Sequence, residues 1–185
     1  FPYTTLFRSL APELVLLVSS SETYRVASST DDAEEGDDGP GVLDLDSSDL
    51  ELVEDHIGTP QTIGIRLQNV TIPKGADIVS ANLQFAVDEG DKNADPFAVT
   101  IWGEAADDAA TYAPVEFNIS SRSKTETSVD WQDIPAWTLD EEGMVGGPNQ
   151  RTPDLTAIVQ EIVDREGWEE GNAMAFMIAG TGQRT

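Results

Sequence analysis

Between Thr30 and Gly41 the chain reads TDDAEEGDDGPG, which places Asp31, Asp32, Glu34, Glu35, Asp37 and Asp38 within eight consecutive positions. Carboxylates at this density repel one another, and a divalent cation among them relieves the repulsion. Ca²⁺ is the ion whose chemistry fits. It accepts about six to eight oxygens in a flexible geometry, and a glycine-containing loop can turn several side chains towards one point. The spacing is not that of an EF-hand, and a run of acids facing water is the competing reading. Glu104, Asp107 and Asp108 form a second, sparser acidic group. With no Cys and a single His, His56, the chain holds no ligand set for tetrahedral zinc, copper or iron–sulfur chemistry.

Aromatic side chains are the second chemical resource. A pyranose ring stacks its apolar face on Trp or Tyr while nearby amides and carboxylates bind its hydroxyls. Tyr112, Trp131 and Trp137 fall in or beside loop sequences and are the candidates for such contacts. Trp102 follows Ile101 on a strand and should point away from it, and Trp168 lies at a helix end where it caps the core. Burial in the core is the alternative for each of these rings, because large aromatics dominate cores as well as sites.

Nucleophilic catalysis finds little to work with. A serine nucleophile needs a base, and His56 sits in the polar turn EDHIGTP with no nucleophile-elbow sequence near it. Paired carboxylates occur at every spacing in a chain with 35 acidic residues, so no pair is singled out for glycoside hydrolysis. The expectation is a protein that is not an enzyme.

The acidic residues outnumber 10 Lys and Arg, for a formal net charge of −25. Such a balance repels nucleic acid and anionic membrane, and leaves cations, neutral ligands and basic surfaces as partners. Much of the acid reads as a solvated surface suited to a saline habitat. No stretch approaches the roughly 20 apolar residues of a membrane span. At 185 residues the chain suits one core and one domain.

The elements that must position these residues are mainly strands. Ile63, Ile65 and Leu67 alternate with polar positions, as do Val79, Ala81, Leu83, Phe85 and Val87, then Phe97, Val99 and Ile101. Ile72-Pro73-Lys74-Gly75 reads as a turn between the first two runs, with an antiparallel pair as the expected outcome. Shorter strand candidates cover 23–28, 42–45, 50–53, 117–121, 125–131 and 172–179. A helix is predicted over about 153–165. Thr152 stands at its N-cap with Pro153 and Asp154 in the first turn, and Leu155, Ile158, Val159, Ile162 and Val163 line one face. Burying that stripe is worth about 10 kcal/mol as an upper bound, so the helix should dock on the sheets.

The beginning of the chain reads differently. Phe1 to Ser9, FPYTTLFRS, resembles a translated sequencing-library adapter, which implies an assembled environmental fragment whose own start lies elsewhere. Residues 10–21 follow as a linker or upstream remnant. Leu10 to Ser20 also admits an upstream strand or the end of a signal peptide's apolar region.

The order IGIRLQNVTIPKGADIVSANLQF, VTIWGEA, VDWQDIPAW and TPDLTAIVQEIVDREGWEEGNAMAFMI is similar to the extracellular jelly-roll domains of the DNRLRE type, which are related to bacterial carbohydrate-binding modules. The resemblance spans about Glu22 to Thr185 and its motifs report fold. It implies an all-β jelly-roll β-sandwich over 22–185 with one docked α-helix. It also implies the loss of a last strand beyond the GTG sequence, which would leave a sheet edge open. Such modules often carry a structural Ca²⁺ near their first strands, which favours Ca²⁺ as cofactor of the acidic loop. The function implied is a non-catalytic carbohydrate-binding or accessory module of an exported bacterial protein. It would be extracellular or at the cell surface, with a polysaccharide or cell-surface glycan and other domains of the same polypeptide as partners. A calcium-binding structural or adhesive spacer is the alternative, and a glycan-active hydrolase fragment the third.

Overall fold

The computed structural model describes residues 12–17, 21–36, 39–47, 49–55, 57–88, 90, 92–140 and 146–185. The adapter-like residues 1–9 lie outside the described residues. Nine strands are described: β1 (Glu13–Leu17), β2 (Ser21–Arg25), β3 (Asp32–Glu35), β4 (Leu43–Asp44), β5 (Thr62–Leu67), β6 (Ser80–Gln84), β7 (Asn93–Glu104), β8 (Lys124–Gln132) and β9 (Met174–Arg184). One helix, α1, covers Thr156–Val163. The strands form a three-stranded sheet in the order β2-β1-β6 and a six-stranded sheet in the order β4-β3-β5-β9-β7-β8. All of the strand pairs are antiparallel. The chain is thus an all-β sandwich with one docked helix, as the alternating pattern predicts.

The core lies between the sheets. Leu14, Leu16, Ala81 and Leu83 from the small sheet meet Ile63, Ile65, Leu67, Val99, Ile101, Phe176 and Ile178 from the large one. The stretch for which a linker, a signal remnant and a strand were all readings therefore supplies β1, the middle strand of the small sheet. Period two puts Leu14 and Leu16 on its inner face, both fully buried.

The turn at Pro73 to Ala76 forms as expected, with the Ala76 amide bonded to the Pro73 carbonyl at 3.1 Å and Gly75 at φ +68°. The hairpin does not. β5 belongs to the large sheet and β6 to the small one. Between them Val70, Ile72 and Ile78 are buried in the core, so the connection crosses the sandwich. Apolar residues in the connector reward that crossing more than a second ladder would.

Helix α1 starts later than predicted. Leu155 stands at the N-cap, and Asp154 before it accepts the Thr156 amide on Oδ1 at 3.0 Å and the Thr156 hydroxyl at 2.5 Å, satisfying the first helical amide. Thr152, the expected N-cap, instead accepts the Leu83 amide on its Oγ1 at 3.0 Å. Together with the Thr152 amide on the Leu83 carbonyl and the Leu155 amide on the Ala81 carbonyl, this closes the outer edge of β6. Ile158, Val159, Ile162 and Val163 are buried as the stripe requires. The helix lies close over Gly103, where a Cβ would come within 2.7 Å of both Ile158 and Ile162. Trp168 is buried and donates its indole N–H to the Ile72 carbonyl at 3.0 Å, tying the helix exit to the crossover.

Two expected strand segments and one expected loop differ. Residues 50–53 and 117–121 form bends and turns, while the acidic stretch, expected as a loop, contains β3. Glycine breaks only its flanks. Asp32 to Glu35 hold a ladder with β5, in which Asp32 faces Ile65 and Glu34 faces Ile63. β9 runs on through Gly180-Thr181-Gly182, past the predicted end, and sits between β5 and β7.

An acid-lined cleft as the candidate functional site

Strand geometry decides the fate of the acidic stretch. In β3 successive side chains point to opposite faces, so Asp32 and Glu34 face inward with Ile65 and Ile63, while Ala33 and Glu35 face the outer side. Glu35 Oε2 accepts the amides of Ile119 at 2.7 Å and Ser120 at 3.0 Å, anchoring the 114–122 turns against the outer face. Asp31 is fully buried and spoken for. It accepts Arg66 Nη1 at 2.5 Å, Gln68 Nε2 at 2.5 Å and Ser28 Oγ at 2.7 Å. The four described carboxylates of the expected calcium loop therefore do not converge, and among the described residues no group of three or more Asp, Glu or His is arranged to hold a metal ion. Asp37, Asp38 and His56 lie outside the described residues. The second acidic group is engaged as well. Glu104 pairs with Arg122 at 2.9 Å, Asp107 with Arg165 at 2.7 Å, and Asp108 accepts the Ala173 amide at 2.8 Å.

The three aromatic candidates are core residues. Trp131 stacks on Phe85 at 5.9 Å and meets the edge of Phe97 at 5.7 Å. Trp137 lies 6.1 Å from Phe85 and 6.2 Å from Trp131, and its indole N–H donates to the Asn149 carbonyl at 3.0 Å. Tyr112 packs on the outer face of the large sheet with Arg122 4.4 Å above its ring, and burial pushes its phenol above the ordinary range. At 3% and 1% exposure Trp131 and Tyr112 present no open face to a sugar, while Trp137, at 2%, is buried but lines the cleft at the β3 end of the sandwich. Trp102 points away from Ile101 as expected and packs on that same outer face, half-buried beneath Lys124 at 4.1 Å.

A cleft of about 480 Å³ opens among the described residues at the β3 end of the sandwich. Its rim carries Asp32 and Glu34 from β3, Asp44, Asp46 and Asp49 from β4 and the segment after it, and Asp88 from beyond β6. Val26, Leu50 and Phe85 contribute an apolar floor, and Ser28, Ser29 and Ser47 add hydroxyls. Among the described residues no Lys or Arg lines it. Burial raises the Asp32 carboxyl to about 6, with the neighbouring Asp31 charge adding to the effect. Glu34 is raised further, to about 8. Burial is the main cause, and Glu51, Asp49 and Asp44 add like charge against the opposing hydrogen bond from the Glu51 amide. Glu34 thus holds its proton more tightly than an ordinary carboxyl does.

Asp49 is visible in the sequence only as a partly charged edge residue, and Asp44, Asp46, Asp88 and Phe85 carry no local signal of a site. They meet because β4 and the 85–88 segment, far apart in sequence, border the same opening. Compared with family models, with curated proteins and with solved structures, the chain matches none of them.

Proposed function

We propose that the chain is a non-catalytic carbohydrate-binding or accessory module of an exported bacterial protein, and that its ligand enters the acid-lined cleft rather than an aromatic platform. The lining of the cleft is the observation that supports this reading. Its rim is rich in carboxylate acceptors and hydroxyls, its floor is apolar, and among the described residues no basic side chain borders it. A ligand complementary to such a lining is rich in O–H donors and has an apolar face, which describes a sugar ring, and the volume suits a small ligand. The test is retention of the full chain on a panel of soluble and insoluble polysaccharides, in Ca²⁺ and in EDTA. Retention on one glycan class, weakened by Asp44→Asn, supports the reading. Absence of retention by a sample that is folded by circular dichroism overturns it.

A calcium-stabilised structural spacer is the second reading, favoured by the uniformly acidic rim. It predicts a melting temperature that rises with Ca²⁺ and falls in EDTA, without glycan retention. New reducing ends in the same incubations would point to the third, a glycan hydrolase.

A further inference from the structure

Two stretches of the chain read Asn-X-Ser/Thr with no proline between, the pattern of an N-glycosylation acceptor: Asn69-Val70-Thr71 and Asn118-Ile119-Ser120. They are not equivalent. At the first, the fold uses the hydroxyl, because Thr71 Oγ1 bonds the Tyr24 hydroxyl at 3.0 Å. Two positions before Asn69 stands Leu67, an apolar residue buried in the core. Two positions before Asn118 stands Glu116, exposed in the 114–122 turns. Glu116-Phe117-Asn118-Ile119-Ser120 therefore matches the longer acceptor pattern, acid-X-Asn-X-Ser/Thr, that bacterial oligosaccharyl transferases read.

The surroundings of Asn118 fit that role atom by atom. Its Oδ1 accepts the Ala113 amide and Arg122 Nη2, both at 3.1 Å. Only an oxygen can accept from two donors, so the amide has one orientation and Nδ2 is turned away from both. Among the described residues Nδ2 has no hydrogen-bond partner, yet it is not buried, and so it opens to water. The Ser120 side chain is exposed, and its hydroxyl bonds none of the described residues. The fold thus employs Oδ1, which glycosylation leaves in place, and spares Nδ2 and the Ser120 hydroxyl, which a transferase must reach.

We propose that Asn118 is an N-glycosylation site, and that Asn69 is not. The donor is an oligosaccharide carried on a lipid pyrophosphate. Asn118 Nδ2 attacks its anomeric carbon, and a carbon–nitrogen bond forms as the carbon–oxygen bond to the pyrophosphate breaks. The lipid pyrophosphate leaves with the electron pair, and Nδ2 gives up one proton to the transferase. A transferase takes its acceptor extended, whereas here Glu35 holds the Ile119 and Ser120 amides and Ile119 is fully buried. The acceptor is therefore the chain before this turn docks, and the finished fold accommodates the sugar because Nδ2 faces water. The proposal rests on the reading of an exported bacterial protein and is independent of what the cleft holds.

The full chain, unfolded in urea and diluted into a purified bacterial oligosaccharyl transferase with lipid-linked oligosaccharide, provides the test, read by intact mass and peptide mapping. One glycan should be added, at Asn118. Asn118→Gln and Ser120→Ala should gain none, Ser120→Thr should be modified as the wild type is, and Glu116→Gln at least several-fold less. None of these readings requires a variant to fold. Refolded, the glycosylated chain should melt within about 2 °C of the unmodified one. The proposal is overturned by an unmodified wild type, by equal modification of Asn69, by undiminished modification of Glu116→Gln, or by a clearly lower melting temperature of the glycosylated chain. Because no sugar ligand is present, none of these outcomes bears on glycan binding by the cleft.

Discussion

Gly64 stands where any side chain would strike the ring of Tyr112: a Cβ at that position would lie 2.6 Å from the Tyr112 Cζ and 2.7 Å from its hydroxyl oxygen. The outer face of β5 is therefore closed by a ring that reaches it from the 105–121 connection, with Ile119 completing the contact at 3.0 Å. Gly64→Ala should cost about 1–3 kcal/mol, the usual price of overpacking. Urea unfolding measures this, and a second change, Tyr112→Phe, which removes the nearby hydroxyl, should recover part of it. An unchanged midpoint in Gly64→Ala would show that the ring can move aside.

The Asp31–Arg66 pair is the second structural prediction. Asp31 is fully buried and Arg66 nearly so, with Nη1 2.5 Å from the carboxylate and Nε donating to the Ala109 carbonyl at 2.7 Å. Asp31→Ala leaves the guanidinium uncompensated and should destabilise the fold by about 3–5 kcal/mol. The double change Asp31→Leu with Arg66→Met should cost less than the single one, because no charge then remains unpaired. Additive losses in a double-mutant cycle would contradict that.

Trp131 and Trp137 separate a fold effect from a binding effect. Both are core rings, so Trp131→Ala or Trp137→Ala should lower stability by about 3–5 kcal/mol. Once folded, Trp131→Ala should keep whatever retention the wild type shows on glycans, whereas Trp137→Ala also alters the lining of the cleft and should weaken it. Asp44→Asn should do the reverse, with little change in melting temperature and at least several-fold weaker retention. Loss of retention in a stably folded Trp131→Ala variant would return the binding role to the aromatics.

Stability should depend on pH through the two raised carboxyls. Glu34 moves from an ordinary 4.5 to about 8 on folding, so the folded state holds the proton more tightly than the unfolded chain. Its contribution is complete below pH 4.5 and is lost as pH rises through 8, with ~5 kcal/mol as an upper bound. Asp32, raised from 3.8 to about 6, acts in the same direction over a lower window. Urea midpoints of the wild type should therefore fall between pH 5 and 8 more steeply than those of Glu34→Gln. Parallel curves for the two proteins would show that Glu34 does not titrate in this range.

The strands of 61–67 and 97–101 and the apolar stripe from Leu155 to Val163 were legible from their periods alone, because burial on one face imposes period two or 3.6 whatever the partner. Thr152 shows the limit of that reading. Its type suits a helix cap, yet the nearest unsatisfied donor is the Leu83 amide on a sheet edge, which no local pattern reveals. The composition of the 31–38 stretch announced unusual chemistry, and only the β3 ladder decided that Asp32 and Glu34 turn to the cleft while Glu35 turns to Ile119. Trp131 and Trp137, placed near loops by sequence, pack in the core because Phe85, just past β6, closes on both rings and Phe97 on β7 closes on Trp131. By itself, then, the sequence determined an acidic all-β chain with one amphipathic helix. Tertiary structure decided which sheet each strand joins and which carboxylates share a cavity, because those depend on contacts between residues far apart in the chain, where no local pattern operates.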